Sequence, residues 1–171
     1  MHAYVDESGR RGLMMCVALV APADADGIRV ALRALLRPGQ RRLHMTKESA
    51  PRQRLILSRL CEQPISAVIY ISGYRIQRHG RDEIMRRIVT ELNIDRLIIE
   101  SAVGQDEHDQ RALQQAVHET GLRDRLHYEH QAPKHEPLLW AADALVFSYA
   151  AGGDLRRRCE PLITRVETVE P

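Results

Sequence analysis

Apolar and polar positions follow two periods along the chain, and these periods predict its strands and helices. Runs rich in apolar and β-branched residues predict strands at residues 2–5, 13–20, 66–74, 96–100 and, as an edge strand, 125–129. Helical spacing predicts helices at residues 25–37, 51–62, 80–93, 106–120 and 137–150, and the tail after Asp154 is expected to extend the last helix briefly and then fray. This order predicts an α/β protein in which a mixed sheet, an antiparallel hairpin plus parallel strands, is flanked by helices.

Composition excludes the extreme classes of protein. Hydrophobic residues make up 44% and charged residues 28% of 171 residues, which is typical of a globular chain and not of a disordered or collagen-like one. Of the 25 basic residues only Lys47 and Lys134 are lysines. Arginine binds phosphate with a rigid two-pronged fork, so pairs such as Arg41-Arg42 and Arg86-Arg87 are candidate phosphate contacts, although biased codon usage is the simpler explanation of the excess.

The cysteines and the apolar runs bear on location. The three cysteines are widely spaced and contain no C-x-x-C pair, which favours a reducing compartment. The longest apolar run, residues 13–21, is too short to cross a membrane. Arg10-Arg11 before this run imitates a signal peptide, but Asp6 and Glu7 do not suit a basic leader, so we expect a cytoplasmic protein with no membrane partner.

Three carboxylate residues occupy positions at which the surrounding hydrophobic pattern predicts another kind of residue. Asp6 is expected at the end of the first strand, Glu100 at the end of a later one, and Asp143 inside an apolar helix. A buried carboxylate normally persists when it is paired, hydrogen-bonded or bound to a cation. If the two strands are parallel neighbours, these side chains could converge, and such hard oxygen ligands suit Mg²⁺ or Mn²⁺ acting on a phosphodiester.

Each candidate also has a simpler interpretation. A strand-end Asp is often a turn residue, and Asp143 could be held by a neighbouring backbone group. Glu7 points to the opposite face of a regular strand, so it reaches the same metal only through a bend. His44 and Lys47 could contact a scissile phosphate or belong to an ordinary solvated loop.

Other polar residues were assigned structural roles. Glu136 is interpreted as a first-turn residue favoured by the helix dipole, although it could extend the acidic face. Asp106 and Asp109 are expected to cap and solvate their helix, although one acid there could replace Glu100 as the third ligand. The loose cluster that includes His130 is interpreted as surface histidines, because zinc sites need tighter spacing.

Three motifs carry a resemblance to a known family. They are Tyr4-Val5-Asp6-Glu7-Ser8-Gly9, Leu43-His44-Met45-Thr46-Lys47 and Glu136-Pro137-Leu138-Leu139-Trp140-Ala141-Ala142-Asp143-Ala144. The chain thereby resembles domain-of-unknown-function family 3800, a bacterial family regarded as having a ribonuclease H-like fold. The resemblance implies one such domain over residues 1–171, with a helical insertion at about residues 22–64 after the second strand.

The same resemblance assigns roles to residues. It implies that Asp6 is the first-strand metal ligand and Asp143 the last-helix ligand, while Leu97-Ile98-Ile99-Glu100 is similar to the strand that ends in a catalytic Glu in Holliday-junction resolvases. Many family members carry an acid where this chain has Arg10. If that acid helps to hold metal in the family, its replacement by Arg weighs against activity.

Two classes of function follow. The first is a divalent-metal-dependent nuclease that hydrolyses DNA or RNA, with Asp6, Glu100 and Asp143 as ligands of Mg²⁺ or Mn²⁺. The second is a catalytically inactive module of the same fold that binds nucleic acid or takes part in a complex. The sequence leaves open the choice between DNA and RNA and the oligomeric state.

Overall fold

The computed structural model of the protein describes residues 1–9, 12–122 and 125–171. The strands are β1 (His2–Ser8), β2 (Met14–Val20), β3 (Ile65–Ser72), β4 (Arg96–Glu100), β5 (His127–Gln131) and β6 (Ile163–Val169). The helices are α1 (Ala25–Arg33), α2 (Ala50–Cys61), α3 (Gln77–Glu91), α4 (Asp106–Thr120), α5 (Leu138–Ala151) and α6 (Gly153–Cys159). Short 3-10 turns lie at Met45–Lys47 and Glu160–Leu162.

The strands form one mixed sheet in the order β5-β4-β1-β2-β3-β6. Antiparallel pairing joins β1 to β2 and β2 to β3, whereas β4 runs parallel to β1, β5 to β4 and β6 to β3. The predicted hairpin and the predicted mixed sheet are therefore confirmed. The helices α1 and α2 lie between β2 and β3 in the chain, within the range predicted for an insertion.

Both faces of the sheet are covered, because its central strands are apolar on both sides. In β2, Met15 and Val17 belong to the core beneath α3 and α4, whereas Cys16 and Ala18 belong to the core beneath α1, α2 and α5. The helix α5 is apolar all round and packs against β1 and β2, so nearly all its side chains are buried. A polar residue in this helix is therefore enclosed by the sheet and the neighbouring helices.

The first strand is longer than the sequence predicts. The acidic run after Val5 was expected to end the extended segment, but β1 continues to Ser8 because β2 pairs with it as far as Met14. Asp6 is therefore inside a strand, two residues before its end. The parallel pairing of β1 with β4 ends at Val5, which lies opposite Ile99. Asp6 is the next residue of β1 and lies just beyond the last paired position.

The C-terminal tail does not fray as predicted. After the separate short helix α6, the chain returns to the sheet as β6, an edge strand paired with β3. The sequence does not show the apolar–polar alternation of this strand, because charged residues occupy its half-buried positions. Arg165, for example, donates to the Tyr70 hydroxyl at 3.0 Å and also pairs with Glu91 of α3. The other elements lie within a few residues of prediction, except that α1 ends at Arg33 and gives way to tighter turns.

The structure bears on the membrane prediction but not on Arg10, the residue after the first motif. In the part of the chain that the structure describes, no helix is long and apolar enough to cross a membrane. Arg10 and Arg11 lie outside the described residues.

We expect Gly80→Ala to destabilise the protein by about 1–3 kcal/mol, the usual cost of overpacking. A Cβ at this position of α3 would overlap the Ser72 hydroxyl oxygen and lie 2.9 Å from the Ser72 Cβ, so α3 would have to move away from β3. The matched control is Gly27→Ala in α1, where nothing lies within 4 Å of the new Cβ. It should leave stability unchanged or raise it by up to about 1 kcal/mol in urea unfolding. Equal effects of the two substitutions would contradict the close approach of α3.

Candidate active site

The three carboxylates singled out in the sequence line a single cavity. Asp6 of β1, Glu100 of β4 and Asp143 of α5 surround a space of about 360 Å³, to which Glu7 and His44 also contribute. The cavity lies at the carboxyl ends of β1 and β4, which is where ligand sites of α/β sheets usually form.

Strand pairing explains how Asp6 and Glu100 meet. The parallel register joins Val5 to Ile99, so the next residue of each strand is one of the two acids. Because side chains alternate across a strand, Asp6 lies on the same face as Tyr4, which belongs to the core beneath α5. The helix α5 covers this face and brings Asp143 to it.

Burial and mutual repulsion disfavour the charged forms of these acids. Burial raises the pKa of Asp6 well above its ordinary value, and the charges of Glu100 and Asp143 raise it further, against the opposing effect of Arg42 and Arg81. The pKa of Glu100 is raised as well, chiefly by burial. A site of this kind gains from a bound cation.

Asp143 is held from the segment that precedes α2. Its carboxylate accepts a hydrogen bond of 2.8 Å from the Met45 backbone N–H, and the His44 imidazole Nδ1 lies 3.7 Å from its other oxygen. Burial nevertheless raises the pKa of Asp143 to about 6, with the Met45 hydrogen bond and Arg42 opposing the shift. Burial, together with Arg42 and Lys47, lowers the pKa of His44.

Arg42 contacts one of the three acids of the cavity, Glu100. Its guanidinium donates to Glu100 at 3.2 Å, and both side chains are partly exposed, by 32% and 24%. The sequence marked Arg42 only as one of several possible phosphate contacts. Its position next to Glu100 depends on how the segment between α1 and the Met45–Lys47 turn folds, and local pattern does not encode this.

The donor set has the chemistry that Mg²⁺ or Mn²⁺ prefers. Three carboxylates supply hard oxygen ligands; burial raises the pKa of each, and the charge of Asp143 raises the pKa of Asp6 and Glu100 further. As these side chains lie, the described residues include no group of three or more His, Cys, Asp or Glu that is already arranged to hold a metal ion.

Glu7 faces the other side of the sheet, as strand alternation predicts. Its carboxylate pairs with the Arg81 guanidinium of α3, and the same guanidinium binds Asp109 of α4 through two hydrogen bonds of 2.7 Å. Asp109 is buried and was wrongly expected to be solvated; the arginine lowers its pKa against the effect of burial. His130 was wrongly assigned to the surface, since its side chain is only 6% exposed and lies 3.3 Å from Asp109.

The remaining candidates lie elsewhere. The Lys47 side chain is exposed and does not line the cavity, although its neighbour Thr46 does. Glu136 is buried near the start of α5, where it accepts hydrogen bonds from Arg29 at 3.0 and 2.8 Å and from the Leu138 N–H. Glu136 therefore forms a buried ion pair with Arg29 and does not extend the acidic cavity.

Comparison with solved structures identifies the architecture. The chain is similar to the ribonuclease HII of the PCNA:RNase HII complex from Archaeoglobus fulgidus, with a TM-score of 0.61 over 95% of this chain and 76% of that chain. The fold is ribonuclease H-like. The fold class predicted from the sequence is thus confirmed. Sequence identity is 22%, so the likeness establishes the fold alone. No protein-family model and no curated protein matches the chain.

We expect Asp143→Asn to stabilise the metal-free protein at pH 7 by about 2 kcal/mol. With a folded-state pKa of about 6, Asp143 keeps its proton at pH values where the unfolded chain has lost it, so stability falls as pH rises from about 4 through 6. Arg42, His44 and the Met45 N–H face this carboxyl, and Asn retains an acceptor for the N–H.

The measurement is urea unfolding of the wild type and the variant in EDTA between pH 4 and pH 7.5. The difference in unfolding free energy should grow with pH and level off near neutrality. The comparison cancels the titration of groups remote from Asp143, whereas Asp6 and Glu100, whose pKa values the Asp143 charge raises, lose that contribution in the variant. A pH-independent difference would contradict a buried Asp143 with a raised pKa.

Proposed function

We propose that the protein is a divalent-metal-dependent nuclease that hydrolyses phosphodiester bonds of DNA or RNA. The observation that carries this proposal is the convergence of Asp6, Glu100 and Asp143 on one cavity, where burial and mutual repulsion favour a cation. The ribonuclease H-like fold supports it, and so does the resemblance of the three sequence motifs to domain-of-unknown-function family 3800.

Asp6, Glu100 and Asp143 are the proposed ligands of Mg²⁺ or Mn²⁺. A cation held by these residues would supply a polarised water and would offset the negative charge that develops on the phosphate. In the net reaction, the water oxygen forms a bond to phosphorus and the bond from phosphorus to one bridging oxygen breaks. The leaving oxygen gains a proton and the other product is a phosphate monoester.

The residues around the ligands position the site. The Met45 N–H fixes one oxygen of Asp143, which leaves the other oxygen on the His44 side. Arg42 is close enough to the cavity to exchange Glu100 for a non-bridging phosphate oxygen once a cation balances the glutamate. His44 and Arg42 are thus proposed substrate contacts, whereas Glu7, which pairs with Arg81, has a structural part.

A second candidate function is a catalytically inactive module that binds nucleic acid or joins a complex. The specific observation in its favour is the Arg42–Glu100 ion pair, because a guanidinium can neutralise an acid that no longer binds metal. This candidate predicts binding that persists in EDTA, falls steeply with salt and accompanies no cleavage.

We expect Asp6→Asn to lower the rate of Mn²⁺-dependent cleavage by roughly a hundredfold or more, the scale on which loss of one electrostatic stabiliser slows an enzyme. The measurement is cleavage of labelled DNA and RNA duplexes and single strands with Mg²⁺, with Mn²⁺ and with EDTA. Wild type should cleave at least one substrate, and EDTA should stop the reaction.

The control is Asp154→Asn, which removes one carboxylate charge from the exposed surface of α6. It should cleave at the wild-type rate. Undiminished cleavage by folded Asp6→Asn protein would overturn the assignment of the site, and absence of cleavage by the wild type on every substrate would favour the inactive module.

A further inference from the structure

A second cavity lies on the opposite side of the sheet from Asp6, between the first turns of α3 and α4. Its volume is about 350 Å³, close to that of the carboxylate cavity. Its walls are mainly basic and amide side chains: Gln77, Arg78, Arg81, Gln105, His108 and Arg111. Glu7 and Glu107 are its acidic members. We call this space the α3–α4 cleft.

Two arginines of the α3–α4 cleft, Arg78 and Arg111, form no ion pair with a carboxylate of the described residues. The Arg81 guanidinium forms ion pairs with Glu7 and Asp109, and its side chain is 7% exposed. Arg78 is exposed, and its guanidinium lies 2.8–3.1 Å from the ring nitrogens of His108, with no ion pair to a described acid. Arg111 is exposed and has no hydrogen bond or ion pair within the described ranges. Such guanidinium groups are available to an anionic ligand.

The start of α3 adds backbone donors beside the arginines of the cleft. This helix of 15 residues has no acidic residue in its first turn and no side-chain hydrogen bond at its N-cap, Ile76. The first backbone N–H groups of α3 therefore donate no hydrogen bond to the N-cap side chain. They lie at the end of the helix where Gln77 and Arg78 line the cleft. Backbone donors and arginine side chains together are the usual phosphate-binding combination.

The α3–α4 cleft adjoins the carboxylate cavity. Glu7 and Arg81 line both spaces, so the two meet around the carboxyl-terminal end of β1. Two exposed apolar residues, Ile76 and Val103, immediately precede the cleft residues Gln77 and Gly104 in the chain, with exposures of 57% and 108%. A ligand that combines phosphates with flat apolar groups fits this surface.

We infer that the α3–α4 cleft binds backbone phosphates of a nucleic acid whose scissile phosphate occupies the carboxylate cavity. This inference rests on the proposed function and adds to it a subsite and its residues. Arg78 and Arg111 each contact a phosphate, while Arg81 positions the end of β1 between the two spaces.

The test measures binding apart from cleavage. Fluorescence anisotropy of labelled DNA duplex, RNA duplex and single strands is recorded in EDTA at several salt concentrations for wild type, Arg78→Ala and Arg111→Ala. Each substitution should weaken binding roughly tenfold near 0.1 M salt and lower the slope of log K against log salt by about one, because one phosphate contact is lost. Both residues are exposed, and thermal melting checks that the variants are folded.

The matched control is Arg54→Ala in α2, which covers the other face of the sheet. Arg54 is also an exposed helical arginine without an ion pair to a described acid, so the change in charge is the same. It should leave affinity and salt slope within about twofold of wild type. Equal losses for all three substitutions would mean a general charge effect and would overturn the inference.

The outcomes separate the subsite from the chemistry. If Arg78→Ala and Arg111→Ala bind as wild type does while wild type cleaves, the subsite is wrong and the nuclease stands. If these variants lose affinity but wild type cleaves nothing in Mn²⁺, the subsite stands and the nuclease fails. Absence of wild-type binding to every nucleic acid at low salt overturns the inference and points to an acidic protein as partner.

Discussion

Burial of three neighbouring carboxylates is the constraint around which this protein is arranged. Asp6, Glu100 and Asp143 would separate if they were mobile, yet each is fixed by an element that has another reason to be there. The parallel ladder between β1 and β4 sets two of them side by side, and the apolar surface of α5 holds the third against the sheet. Hydrophobic burial of these elements thus offsets the electrostatic cost of the site, which is relieved when a proton or a cation enters.

The end of β1 serves two surfaces at once. Strand alternation sends Asp6 toward α5 and Glu7 toward α3, so adjacent residues enter different electrostatic environments. Asp6 meets other acids and its pKa rises, whereas Glu7 meets Arg81, which is anchored in turn by Asp109. A buried pair of this kind contributes little net stability against apolar replacements, but it defines where α3, α4 and the strand end lie relative to one another.

The sequence predicted most of this architecture, and the misses share a physical cause. Strongly periodic segments such as β4 and α4 were placed correctly, because burial of one face or both dictates their pattern. The strand β6 was missed since Arg165 and Glu167 occupy half-buried positions and pair with charges on α3. The three acids could be selected because each breaks an apolar pattern. Arg42 and the buried roles of Asp109 and His130 depend on contacts distant in sequence, which no local period records.

The hydrogen bond from the Met45 N–H to Asp143 makes one backbone amide a built-in spectroscopic probe. This proton is hydrogen-bonded to a carboxylate that belongs to a different element, 98 residues along the chain. Its chemical shift and its exchange rate with solvent will change whenever Asp143 gains a proton, a cation or a new neighbour. A single resonance therefore reports the state of the cavity, and residue-specific isotope labelling makes it readable without substrate or turnover.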